Sequence, residues 1–246
     1  MEVHHHSHTA RKKWTHYFWE FLMLFLAVFC GFFAEYQLEH KIEKERGKQY
    51  IFSMYEDLRS DTTHYSSLLS QYRDKISVLG KAHDCYELIR RNNVYNSCFK
   101  LLITTSGGFP DLINTDRTLQ QLKNSGGLRL LSREDADSIT TYDALIRKQL
   151  QAEHTDVQQT QNYLRNLVFE VLDYDAVTET LMRTDSSVNF EKFPLVRKGK
   201  DDALNKLFVT MGRYQYIMVA QLQTISGLKR RAEGMLLYFK NKYNLK

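Results

Sequence analysis

Between Phe21 and Ala34 the chain reads FLMLFLAVFCGFFA, with no charged or strongly polar side chain. Beyond Tyr36 the apolar positions thin out and become periodic. Ile51, Met54, Leu58, Tyr65, Leu68, Tyr72, Ile76, Leu79, His83 and Tyr86 follow one another mostly in steps of three and four, as on one face of an α-helix. Similar spacing returns at Ile139, Tyr142, Ile146, Leu150, Val157, Leu164, Val168 and Val171. It returns once more at Leu204, Phe208, Met211, Met218, Leu222, Ile225, Met235, Leu236 and Phe239. Pro110 and Pro194 are the only prolines, so little in the chain interrupts long helices. The pattern predicts long helices over about 38–91, 133–184 and 201–242. Residues 92–131 are expected to be irregular, and 185–199 to form a loop around Pro194. No later helix is apolar all round, so one span is expected. The expected fold class is all-α: an N-terminal transmembrane helix over 14–37, then an elongated antiparallel helical bundle over 38–246.

The fourteen clean apolar residues are short for a span, which needs roughly 20. A secretory signal has a core of this size, and Arg11–Lys13 precede the run as either case requires. Cleavage needs small residues at −3 and −1. Cutting after Ala34 or Gly31 places Phe32 or Phe29 at −3, so the segment is expected to stay uncleaved. Tyr17–Tyr36 then gives twenty residues, with Trp14, Tyr17, Trp19 and Tyr36 as interfacial aromatics. Glu20 and Glu35 fall about a turn inside the boundaries, where a carboxylate must reach the headgroups, be protonated or face a partner. Ala27, Gly31 and Ala34 share a face with Glu20, and small residues let helices approach closely in lipid. Basic residues flank both ends of the span. The cluster before it and the size of the following domain favour a cytoplasmic N-terminus and an extracytoplasmic domain at the inner membrane.

Several local features bear on the domain. Asp61 falls in the gap between Leu58 and Tyr65; it is expected at the edge of the stripe with local hydrogen bonds, the alternative being a buried polar switch. Cys85 and Cys98 lie symmetrically about a turn near Arg90–Asn93 and are a candidate disulfide, the alternative being two buried thiols. Ser106-Gly107-Gly108 and Ser125-Gly126-Gly127 look like phosphate cups, but no Lys-Ser/Thr follows either, so they are expected to be caps and turns. Thr115 is expected to cap a short helix over Asp116–Lys123, and Ser132 with Asp135 to form a capping box.

Composition adds exclusions. There are 34 basic and 29 acidic residues, a balance too even to argue for nucleic acid. The negative mean hydropathy excludes a multi-span transporter. The basic C-terminal stretch with Lys229, Arg230 and Arg231 reads as a solvated helix face or a contact with anionic headgroups. His4, His5, His6 and His8 are the candidate metal ligands, on a tail over 1–13 whose other expected state is flexible and solvated. No catalytic signature is present and no cofactor is expected.

The opening Met1-Glu2-Val3-His4-His5-His6, the segment Asp57-Leu58-Arg59-Ser60-Asp61-Thr62, and Thr118–Leu131 with its Leu122-Lys123-Asn124-Ser125-Gly126 together carry a resemblance. They resemble an uncharacterised family of bacterial single-pass membrane proteins. The resemblance covers about the first 130 residues and implies a membrane-anchored helical protein with a native histidine tract. It implies no reaction. The expected role is a membrane-anchored interaction or scaffold protein whose partners are the bilayer and either its own copies or another membrane protein. The alternative is an extracytoplasmic sensor or ion-transport accessory subunit that signals through the span and Glu20.

Overall fold

The structure is a computed structural model that describes residues 14–92, 96–175, 177–178 and 194–245. Among these residues it is mostly helical and has no strand, and its one extended pairing is an isolated bridge. The helices are α1 (Trp14–Leu79), α2 (Ala82–Asn92), α3 (Asn96–Ser106), α4 (Arg117–Asn124), α5 (Arg133–Ala152), α6 (Gln159–Val171) and α7 (Asp201–Tyr243). A 3-10 turn, Gly127–Leu130, links α4 to α5, and a π-helical turn, Glu153–Gln158, joins α5 to α6.

Helix α1 has two halves with opposite surroundings. From Trp14 to Arg46 its side chains are almost all exposed, including Met23 at 67%, Leu24 at 70% and Phe32 at 69%. From Gly47 on, one face is buried: Gly47, Ile51, Met54, Leu58, Asp61, Tyr65, Leu68, Tyr72, Lys75 and Leu79. These steps alternate four and three without a break, which is a heptad seam. Helix α7 carries the matching seam: Leu204, Leu207, Met211, Tyr214, Met218, Gln221, Ile225, Leu228, Ala232, Met235 and Phe239. The two pack antiparallel. Glu45 and Lys48 line one cleft with Lys242 and Leu245, while Lys75 lies over the ring of Tyr214.

The first domain helix ends earlier than its periodicity predicts. Instead of running to residue 91, α1 stops at Leu79, and α2 starts at Ala82. The amide of Lys81 bonds the carbonyl of Val78, three residues back, and this tighter turn at Gly80 breaks the helix. Within 92–131, α4 takes the place of the short helix expected over Asp116–Lys123, and α3 and the 3-10 turn add helix where an irregular chain was expected. These helices are short, and glycine turns separate them, so no long period shows in the sequence.

The α5–α6 region also departs from expectation. Its buried seam steps from Gln149 to Glu153 and then to Val157, four and four, where a heptad wants a three. The π turn absorbs the extra residue and keeps both halves facing the core. Helix α6 ends at Val171 rather than near Thr184. Leu172 turns extended and pairs with Val196, and the amides of Asp173 and Arg197 bond Leu195 and Val171. Arg197 Nε also donates to the Leu172 carbonyl at 2.8 Å. Thr184 itself lies outside the described residues.

Candidate functional site

Polar side chains occupy part of the α1 seam, and they read the connection between α3 and α4. Asp57, Asp61 and Tyr65 are four residues apart, so they stack on one face. Asp57 is wholly buried and accepts from Arg117 Nε at 2.6 Å and from the Thr118 amide at 3.1 Å. Asp61 accepts from the Thr115 amide at 2.7 Å and from the Tyr142 hydroxyl at 3.1 Å. Tyr65 and Tyr142 pair their hydroxyls at 2.9 Å. Burial raises the Asp61 pKa more than the bonds from Thr115 and Tyr142 lower it.

This corrects two sequence expectations. Asp61 is not a locally bonded edge residue; its partners are 54 and 81 residues away. Thr115 does not cap α4 either: both its side chain and its amide bond Asp61. The first residue before α4 is Asp116, which makes no side-chain cap. Asp57 supplies the cap from another helix: its carboxylate meets an orphan amide in the first turn, where negative charge is favoured. The quoted Asp57–Thr62 and Thr118–Leu131 segments are therefore in contact.

About three helical turns further along α1, a second polar cluster crosses the core. Lys75, only 8% exposed, donates to the Gly108 carbonyl at 2.6 Å and to Gln161 Oε1 at 3.4 Å. Its ammonium sits 5.5 Å from the centre of the Tyr214 ring. Gln161 donates to the carbonyls of Thr105 and Gly107, and Arg165 to that of Ser106. The first Ser-Gly-Gly turn thus offers carbonyls to cationic and amide donors. A phosphate cup presents N–H groups instead, so the turn reading holds here. The second triplet is also a turn, with Gly126 in the left-handed region at φ 65°.

Glu153 stands on the π turn and is 5% exposed. Its Oε1 accepts from the Leu112 amide at 2.9 Å. Among the described residues its Oε2 has no hydrogen-bond partner, and the same holds for the hydroxyls of Tyr72, Tyr214 and Thr105. Burial pushes Glu153 up to about 7, the Leu112 amide opposes the rise, and Asp111 adds to it. Burial pushes Lys75 down to about 8, helped by Arg165. Burial also raises Tyr72, and the charges of Glu153 and Asp111 contribute, so these groups share one field.

At the other end of the domain, Asp135 locks α5 to α7. Ser132 caps α5 by accepting from the Asp135 amide at 3.3 Å. The buried Asp135 carboxylate accepts from Lys242 Nζ at 2.9 Å and from the Tyr243 hydroxyl at 2.6 Å. Burial opposes its ionisation, but the bonds from Ser132, Tyr243 and Lys242 together hold it below the usual aspartate range.

Other sequence candidates fall in separate places. Glu20, Ala27, Gly31, Ala34 and Glu35 all lie on the exposed half of α1, and a side chain added at Gly31 would touch nothing within 4 Å. Cys85 and Cys98 form a disulfide that ties α2 to α3, with Cα atoms 5.3 Å apart and both residues buried. His4, His5, His6 and His8 lie outside the described residues. Among the described residues no group of three or more His, Cys, Asp or Glu side chains is arranged to hold a metal ion. Sequence reasoning named neither Glu153 nor Lys75. A lysine at a seam position and two consecutive four-residue steps around Glu153 were the available signals.

The chain matches no protein-family model, no curated protein and no solved structure.

Proposed function

We propose that this chain is a membrane-anchored helical interaction protein. The first half of α1 crosses the inner membrane with its N-terminus in the cytoplasm, and the remainder forms an extracytoplasmic helical bundle. The carrying observation is the division of α1. It is one unbroken helix, apolar and exposed at its start, and the central seam of the domain at its end. An apolar helix buried in a soluble core would be covered by protein. None of the most apolar window is. Lipid is the medium that covers such a surface at low cost.

The disulfide between Cys85 and Cys98 supports the extracytoplasmic side, because such bonds persist in oxidising compartments. The small-residue face at Ala27 and Gly31 supports pairing of spans, either with a second copy or with another membrane subunit. The sensor reading is supported by the continuity of α1 itself: the helix that carries Glu20 also carries Lys75 in the domain core.

The test is done on native membranes. Alkaline carbonate should leave the chain in the pellet, and external protease should reach the domain in spheroplasts. With Cys30→Ser as background, Ala27→Cys should crosslink between spans, and Gly31→Leu should weaken that crosslink. Release by carbonate would overturn the anchor. A protected domain would overturn the orientation, and an unchanged crosslink would overturn this face.

A further inference from the structure

Among the described residues four buried side-chain oxygens have no hydrogen-bond partner, and each calls for a reason, because a desolvated hydroxyl or carboxyl oxygen costs free energy unless it is hydrogen-bonded. Three of them stand on elements packed around the α1–α7 seam: Tyr72 on α1, which feels the charges of the other two, Glu153 on the π turn and Tyr214 on α7. Tyr72 and Tyr214 are wholly buried. Tyr72 stands three residues before Lys75, whose ammonium lies over the Tyr214 ring, so the cluster has α1 on one side and α7 on the other. The π turn supplies the third wall. Such turns recur where a helix gives up regular bonding to place a side chain.

We propose that Tyr72, Glu153 and Tyr214 form an internal hydrated site that binds a proton, with water as the ligand joining the three side chains. The two oxygens of Glu153 have different surroundings, and this decides where the proton goes. Oε1 already accepts from the Leu112 amide, so it is the carbonyl-like oxygen. The proton resides on Oε2, which then donates to water. Water in turn accepts from, or donates to, the phenols of Tyr72 and Tyr214. A buried water making about three hydrogen bonds satisfies such a set. Removal of the proton leaves a carboxylate that is opposed by the charge of Asp111 on the connection and is felt by Tyr72, while the nearby cation of the core, Lys75, is itself opposed by Arg165 of α6. The carboxylate also holds the connection at Leu112, so the proton is linked to the join between the π turn and the segment that Asp61 and Asp57 clasp. The site stands independently of how the span is oriented or whether spans pair.

Two measurements on the full-length protein in detergent test this. Infrared difference spectra across pH 5–9 should show a protonated carboxylic acid that titrates near 7, and Glu153→Gln should abolish that band. A band absent from the wild type, or retained in Glu153→Gln, overturns the proton site. Tyr72→Phe and Tyr214→Phe separate water from an empty contact. If water bridges the phenols, each variant removes hydrogen bonds, lowers the thermal midpoint and shifts the Glu153 titration. If the hydroxyls are merely unpaired, each variant leaves the midpoint unchanged or raises it, and the hydrated site is overturned. The tyrosine variants keep the ring packing, so they remain informative where Glu153→Gln fails to fold.

Discussion

At the residue scale, ionisable side chains inside the seam set both local structure and the pH response. Asp57→Ala removes a buried carboxylate that accepts from Arg117 and caps α4 at Thr118. Loss of a buried, charged acceptor should cost about 2–4 kcal/mol, measured as a shift of the urea midpoint at unchanged slope. Glu153 and Lys75 act in separate pH windows. The folded pKa of Glu153 lies above its usual 4.5, at about 7. The native state therefore holds a proton that the unfolded chain loses, and stability contributed by Glu153 declines as pH rises from 4.5 to 7. Lys75 is lowered from 10.5 to about 8, so its contribution grows as pH rises between those values. Denaturant titrations should find this pair of contributions least favourable between about 7 and 8. Glu153→Gln should flatten the acid-side decline, and Lys75→Met the alkaline-side rise. Asp61, raised by burial, adds to the Glu153 trend at lower pH. Asp135, held below its usual range, opposes it there, because its stabilisation is lost as pH falls.

At the element scale, the register of each helix follows from its seam, and the exceptions mark contacts. Gly47 lies where α1 meets the 3-10 turn, and a Cβ there would stand 2.6 Å from the Leu130 carbonyl oxygen. Backbone cannot yield as a side-chain tip can, so Gly47→Ala should cost about 1–3 kcal/mol in denaturant unfolding. Gly31→Ala meets nothing within 4 Å and should leave the unfolding of the domain unchanged. The π turn makes a further prediction. It accommodates one residue more than a regular helix, so deleting the exposed Thr155 should restore the four-three seam. Deleting the exposed Thr141 from α5 removes a residue that the seam requires. Thermal melts should show the Thr155 deletion to be much the milder of the two. The sequence showed these long helices because each buries one stripe. It hid α3 because a helix of eleven residues spans too few turns to show a period, whereas the short α4 lies where turn residues placed a helix over Asp116–Lys123.

At the scale of the whole molecule, α1 joins two media. Its N-terminal half is covered by lipid in the proposed arrangement, and its C-terminal half by α7 and the shorter helices. The disulfide stabilises the far end of the domain, away from the span. It closes a loop with a sequence separation of 13, so reduction should lower stability by about 3 kcal/mol, and Cys85→Ser with Cys98→Ser should reproduce the loss. Alkylation of membranes dissolved in denaturing detergent without reductant should label Cys30 and spare both other cysteines. Labelling of all three would show that the bridge does not form in the cell.

The sequence by itself determined the helical class, the apolar segment at the start and the stripes that face the core. These depend on residue type and spacing along one helix, and both are visible in a string. The pairing of α1 with α7 was not visible, because two compatible stripes do not state which will meet. Asp61 shows the limit at one residue. Its place near the stripe was legible, but its partners Thr115 and Tyr142 are distant in sequence and were set by packing. Glu153 shows it again. An exposed glutamate and a buried one are the same letter, and only the tertiary structure removed this one from water and gave its two oxygens different neighbours.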